Sequence, residues 1–346
     1  MERKRIKVVI VEDSKLYQMY LKKVLGNDEF LEVCGCASDG KEARAMIERE
    51  KPDVITLDLQ LPDVKDFELL QELVKNYKTP IIVVTSRPDA CEGAMKLGAS
   101  DFIEKAQNGD AKTLEEFSLL LRLKIKGIGR ATGTAAAASG LSGVKKVELT
   151  RRSSVAGGQD IIAVGASLGG TEATLQLLTQ LPADMPGIVI VQHMPPGFTK
   201  AYAMRLDRNC QMRVKEAENG DVVERGTVII AKGGEQMTVQ KTVNGYVVRT
   251  REDEKVGGFC PAVNVLFQSV AAAAGKKAVG VILTGIGRDG AEGLLQMHEA
   301  GAYTLGQNEE SCVVYGMPRE AMKLGAVDRE LPVEEISKVL IRHFEG

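Results

Sequence analysis

Three side chains in the second half of the chain combine into one kind of chemistry. Ser167 lies in Gly165-Ala166-Ser167-Leu168-Gly169, a G-x-S-x-G pattern between an apolar run and a helical pattern. Small residues on both sides permit a tight strand-to-helix turn that exposes the hydroxyl beside a helix N-terminus, where developing negative charge is favoured. The same glycines approximate a dinucleotide-binding loop, but that reading needs an acidic residue about 20 positions on, near the end of the next strand. The next strand, GIVIVQ, ends instead at His193. A serine nucleophile requires such a base. Of the three histidines, His298 falls within an amphipathic helical pattern and His343 lies in the last residues. His193 is followed by the rigid Met194-Pro195-Pro196-Gly197 and is therefore the candidate base. Asp289, in a Gly-rich turn after the strand 278–284, is the carboxylate that would fix the imidazole tautomer. The order Ser, His, Asp excludes an α/β-hydrolase, which runs Ser, Asp, His.

The first half carries a different constellation. Glu12 and Asp13 close one apolar run, Asp58 another, Thr85 a third, and Lys105 follows a fourth. In a doubly wound sheet such strand ends converge on the ligand crevice. Three carboxylates together repel one another unless a divalent cation neutralises them, and an all-oxygen set suits Mg²⁺. A carboxylate nucleophile beside Mg²⁺, a hydroxyl and a Lys makes an aspartyl-phosphate site.

The elements that must position these groups follow from pattern. IKVVIV (6–11), DVITL (53–57) and PIIVVTS (80–86) read as buried parallel strands separated by helices, and so do 160–165, 187–192, 227–231 and 278–284. Asn244-Gly245 between two alternating runs predicts an antiparallel hairpin. The fold expected is α/β, with two doubly wound, mainly parallel-sheet domains: a flavodoxin-like domain over 1–126 and a Rossmann-like domain over 158–346. Between them, 127–157 is rich in Gly, Ala, Ser and Thr and reads as a flexible basic linker. With 346 residues, two domains are the default.

Composition narrows the function further. Lys and Arg number 45 against 47 Asp and Glu, so no strongly basic face marks a nucleic-acid binder. No apolar run reaches the ~18–20 residues of a membrane span, so membrane insertion is not expected. Six scattered cysteines without a CxxC read as reduced thiols in a cytoplasmic protein.

The first 125 residues resemble a response-regulator receiver domain. The resemblance implies that Asp58 is the phospho-acceptor, that Glu12, Asp13 and Asp58 hold Mg²⁺, and that Thr85, Lys105 and the aromatic Phe102 couple phosphorylation to a surface change. Lys65-Asp66 stands where receivers usually have Asp-Gly, and Ala106 where Pro usually follows the Lys. Four blocks extend the likeness over the whole chain: VGASLGGTEA, VQHMPPGFT, GVILTGIGRDGAEGL and QNEESCVVYGMPREAMKLGAVD. Together they resemble the chemotaxis protein-glutamate methylesterases, the CheB family. That implies phosphorylation-regulated hydrolysis of glutamate γ-methyl esters on chemoreceptors, with methanol released and glutamine deamidation alongside. The phosphodonor would be a histidine kinase, and no cofactor serves ester hydrolysis. Ser167, His193 and Asp289 then form the triad, and the Ile286 backbone N–H, where the family usually has Met, contributes to the oxyanion hole. Leu168, GFCPAVNVLF (258–267) and AKGGEQM (231–237) depart from the family pattern. The competing expectation is a phosphorylation-controlled adaptor with an inactive hydrolase-like domain.

Overall fold

The computed structural model describes residues 5–106, 111–134 and 160–345. The chain divides into two compact units, Met1–Leu141 and Ser142–Gly346. No helix among the described residues is long and apolar enough to cross a membrane.

The first unit alternates strand and helix: β1 (Ile6–Val11), α1 (Lys15–Gly26), β2 (Leu31–Ala37), α2 (Gly40–Glu50), β3 (Val54–Leu57), α3 (Glu68–Asn76), β4 (Ile81–Thr85), α4 (Pro88–Lys96), β5 (Asp101–Glu104) and α5 (Ala111–Thr134). Its parallel sheet has the order β2-β1-β3-β4-β5. Helices on both faces explain why β3 and β4 are buried and apolar throughout instead of alternating. The order reverses between β1 and β3, so the crevice at their C-terminal ends is the ligand position of such sheets.

Helix α5 continues to Thr134, so residues 127–134 are helical where the composition suggested linker. Packing overrides composition here. Ile125 is buried, Ile128 packs on the same core, and Gly129 lies so close to Ile6 that a Cβ would stand 2.7 Å from its Cγ2. The remaining linker positions, 135–157, lie outside the described residues.

The second unit runs β6 (Ile161–Ala166), α6 (Gly170–Thr179), β7 (Gly187–Gln192), α7 (Thr199–Asn209), β8 (Arg213–Glu216), β9 (Thr227–Ile230), β10 (Glu235–Thr242) and β11 (Gly245–Glu252). It continues with α8 (Val263–Ala274), β12 (Ala278–Ile282), α9 (Ala291–Glu299), β13 (Tyr303–Gln307), α10 (Met317–Lys323), β14 (Arg329–Leu331) and α11 (Val333–Glu345). Seven parallel strands take the order β14-β13-β12-β6-β7-β9-β8. The expected hairpin is β10–β11; its two-residue tip is Val243-Asn244, one position earlier than the Asn-Gly pair implies, and Gly245 opens β11 with φ 132°. Its apolar face (Met237, Val239, Tyr246, Val248) joins Val263, Leu266, Phe267 and Val270 of α8 in one core. After β6 the chain moves through β7 to one side and later returns with β12 on the other. The switch point therefore falls at the C-terminal end of β6, where Ser167 stands.

Candidate active site

Backbone register brings the three hydrolytic candidates to one place. Ala166 pairs with Gln192, so Ser167 and His193 each lie one residue beyond a matched pair on adjacent strands. The His193 N–H donates to Ala166 O at 3.0 Å, extending the ladder by one step. On the other side, the Ser167 N–H donates to Thr284 O at 3.0 Å, which ties the serine to the segment leaving β12. The turn after Ser167 needs glycine. Gly169 has φ 78°, and a Cβ there would stand 2.5 Å from Val313; a Cβ on Gly170 would stand 2.3 Å from Gln192 Oε1.

His193 Nε2 and Asp289 Oδ2 are 2.7 Å apart, with both side chains almost fully buried. The Asp289 carboxylate also accepts the first two N–H groups of α8, from Val263 (2.7 Å) and Asn264 (2.9 Å). A helix N-terminus thus holds the acid as an acceptor. The contact is reciprocal. Asn264 Oδ1 accepts the N–H groups of Gly290 (3.0 Å) and Gly293 (2.8 Å) at the start of α9. With Nε2 on the acid, Nδ1 is the other ring nitrogen; it is buried and has no hydrogen-bond partner among the described residues. Ser167 Oγ therefore does not bond Nδ1 in this state; such contacts often close only when substrate is bound.

Ile286 lies half-buried between Gly285 and Gly287, and its N–H enters no backbone–backbone hydrogen bond among the described residues. A Cβ on Gly285 would stand 2.7 Å from Ser167 Cβ, so this loop abuts Ser167. The other histidines are engaged elsewhere. His298 pairs with Asp328 at 3.3 Å, and His343 stacks on Tyr303.

Sequence reasoning missed three contributors. Gln192 Nε2 donates to the carbonyls of Ser167 (2.8 Å) and His193 (3.2 Å), joining the two segments that carry them. A polar residue ending an otherwise apolar buried strand was the available signal. Thr284, fully buried, donates to Leu168 O and accepts from Val313 and Val314 N–H. Phe259 stacks flat on the His193 ring, with centroids 3.8 Å apart and planes 4° from parallel. Nothing local in the sequence marks it.

In the first unit the acidic pocket forms as its spacing suggests. Oxygens of Glu12, Asp13 and Asp58 lie within 4.8 Å of one another. Lys105 Nζ reaches Asp58 at 2.6 Å and Glu12 at 2.8 Å, with its backbone N–H on Thr85 O. The Thr85 hydroxyl is buried and accepts the Arg87 N–H of the β4–α4 loop at 3.0 Å. Phe102 is buried, with Lys124 Nζ 5.9 Å from its ring centre. Asp66 adopts φ 33°, the left-handed conformation that Gly would take without strain. The turn at Asp66 is thus left-handed without a glycine there.

An all-oxygen cluster of two buried carboxylates, Glu12 and Asp58, and the exposed Asp13 fits Mg²⁺. Glu12 supplies an independent sign. Burial pushes its carboxyl up to about 7, against the opposing pull of Lys105. A carboxyl raised in the folded state contributes fully below its ordinary value of 4.5. The metal-free protein thus loses stability as pH rises from 4.5 towards 7. Mg²⁺ bound at these carboxylates would offset that loss. We expect Mg²⁺ to increase the hydrogen-exchange protection of β1 in the intact chain far more at pH 8 than at pH 5. Glu12→Gln without metal should reproduce the pH 8 increase; unchanged protection in both cases would contradict this account of the pocket.

Comparison with known proteins agrees with both units. Residues 162–340 match the CheB methylesterase family model, and residues 8–115 match the response regulator receiver domain model. The chain is 43% identical, over 99% of its length and 98% of the relative's, to protein-glutamate methylesterase/protein-glutamine glutaminase 2 of Syntrophomonas wolfei. It is 41% identical to the Pseudomonas aeruginosa protein of the same name, over 97% of this chain and 96% of that one. The crystal structure of the Thermotoga maritima CheB methylesterase catalytic domain superposes with a TM-score of 0.52 at 36% identity, covering 54% of this chain and 98% of that one. With its sheet topology and these matches together, the chain belongs to the CheB methylesterase family, with a response regulator receiver domain ahead of the methylesterase domain.

Proposed function

We propose that Ser167, His193 and Asp289 hydrolyse glutamate γ-methyl esters on chemoreceptors, under control of phosphorylation at Asp58. The observation that carries this reading is the buried His193–Asp289 pair beside Ser167 at the switch point of the sheet. Ser167 Oγ attacks the ester carbonyl while His193 Nδ1 takes its proton. The C–O bond to methoxide breaks, the imidazolium protonates the leaving group, and methanol departs from a γ-glutamyl-serine. Water then attacks with Nδ1 again as base, and glutamate leaves as the proton returns to Ser167. The Ile286 N–H, with the N-terminus of α6, faces the charge that develops on the carbonyl oxygen. An amide in place of the ester would release ammonia through the same intermediate, which is glutamine deamidation.

In the receiver, Glu12, Asp13 and Asp58 would hold Mg²⁺, which neutralises charge on an incoming phosphoryl group. Lys105 Nζ would shift from the carboxylates to a phosphoryl oxygen, and Thr85 and Phe102 would respond. The phosphodonor is a histidine kinase of the same system. All six cysteines are free thiols, in keeping with a cytoplasmic location. An inactive adaptor is disfavoured by the buried His193–Asp289 pair beside Ser167 and by full-length relatives named as enzymes.

The experiment is methanol release from methylated receptor membranes, with Mg²⁺ and with or without a small phosphodonor. Wild type should release methanol faster with the donor. Asp58→Asn should keep the basal rate and lose the whole increment, because the amide cannot accept a phosphoryl group. A donor effect that survived Asp58→Asn would refute the assigned acceptor.

A further inference from the structure

One loop, between β11 and α8, holds both members of the His–Asp pair. It leads directly into α8, whose first N–H groups, those of Val263 and Asn264, lie on Asp289. The middle of the loop carries Phe259. Val256 and Phe259 exchange backbone hydrogen bonds of 2.9 and 3.1 Å across Gly257 (φ 61°) and Gly258 (φ 93°). Two consecutive positive φ values make a tight turn that glycines enter without strain. Beneath it the buried Gln236 side chain braces the loop at three points, one of them Glu254 O, to which Nε2 donates at 3.2 Å. Nε2 also donates to Phe259 O at 3.1 Å, and Oε1 accepts the Ala262 N–H at 2.9 Å. The Phe259 ring is therefore delivered from fixed backbone onto His193.

Two physical consequences follow from planes 4° apart with centroids at 3.8 Å. Rotation about the last torsion of His193 would drive the imidazole edge into the Phe259 face, so the ring plane is locked while Phe259 is present. The 3.8 Å separation is also shorter than the ~4.5–7 Å centroid range that neutral aromatic pairs usually take. A cation over the face of an aromatic ring is attracted by it. The arrangement thus suits the imidazolium that forms twice in each turnover.

We propose that Phe259 is a positioning residue. It holds the His193 plane so that Nε2–H stays on Asp289 and the Nδ1 lone pair is presented to Ser167, and it covers the imidazolium once formed. This role rests on His193 as the base of the esterase reaction.

The test uses the full chain with Phe259→Ala, Phe259→Leu and Phe259→Tyr. Phe259→Ala should lower kcat for methanol release about 10- to 100-fold, because small misplacement of a catalytic group has effects of that size. KM should stay within about twofold, since ground-state binding is not what is lost. Tyr, which restores the π face, should recover most of the rate; Leu, which restores only bulk, should not. In parallel, ¹⁵N spectra of the histidine rings should show His193 as the pure Nε2–H tautomer in wild type and Phe259→Tyr, and as a mixture in Phe259→Ala. Full rescue by Leu, or Phe259→Ala with wild-type kcat and an unchanged tautomer, overturns the proposal. If wild type releases no methanol, the esterase reading fails by itself. The tautomer comparison then still decides whether Phe259 locks the ring.

Discussion

Ser167→Ala is expected to lower methanol release by about four to six orders of magnitude while the protein stays folded, because the covalent step has no substitute nucleophile. The structure explains why the fold should be indifferent. The serine turn is held by backbone groups: the Ser167 N–H on Thr284 O, and the Ser167 carbonyl receiving the Gly170 N–H at 2.8 Å and Gln192 Nε2 at 2.8 Å. None of these involves Oγ. Thermal unfolding should therefore match wild type, and KM should change little. A variant retaining more than about a hundredth of the wild-type rate would be inconsistent with a serine nucleophile, given the losses seen when a triad member is removed. The same variant should also form no acyl-enzyme, so trapping with acid before steady state should yield glutamyl-protein from wild type alone.

Asp289→Asn is the second large effect, with about a 10⁴-fold loss of kcat expected. The reason is a count of donors and acceptors. In the native site one carboxylate oxygen accepts both the Val263 N–H and His193 Nε2, and the other accepts the Asn264 N–H. An amide has one acceptor oxygen and two N–H donors. If its oxygen stays with Val263 and His193, its NH₂ points at the Asn264 N–H. If it flips, its NH₂ faces the Val263 N–H and forces His193 to present a bare Nε2, which places the proton on Nδ1. The base needed by Ser167 is then lost. Either orientation opposes a donor to a donor, so stability should also fall, by about 1–3 kcal/mol. Activity that persisted within about tenfold of wild type would remove Asp289 from the mechanism, because orienting the base is worth far more than that. The ¹⁵N tautomer measurement separates the two orientations directly.

Much of this site is legible in the linear chain, for a local reason. Apolar runs that end in a polar residue mark strand termini, and Glu12, Asp13, Asp58, Thr85, Ser167 and His193 each stand at such an end. The GASLGG turn is equally local, since its backbone demands glycine whatever packs nearby. Chain order alone separated Ser-His-Asp from the α/β-hydrolase arrangement. Two doubly wound sheets followed from the alternation of periods, and both are present.

Other features depend on residues far apart in sequence that meet only in the folded chain. The extension of α5 to Thr134 rests on Gly129 meeting Ile6, a contact that composition does not register. The Asp66 turn keeps its left-handed geometry without glycine, which local preference opposes. The ring nitrogen of His193 that meets Asp289 is chosen by where α8 begins, and the imidazole plane by Phe259, 66 positions later in the chain than His193. The sequence by itself thus determined which residue types reach the strand ends and what reaction they suit. The tertiary structure decided which atoms of those residues face one another, because orientation is set by the side chains and helix ends packed around the site.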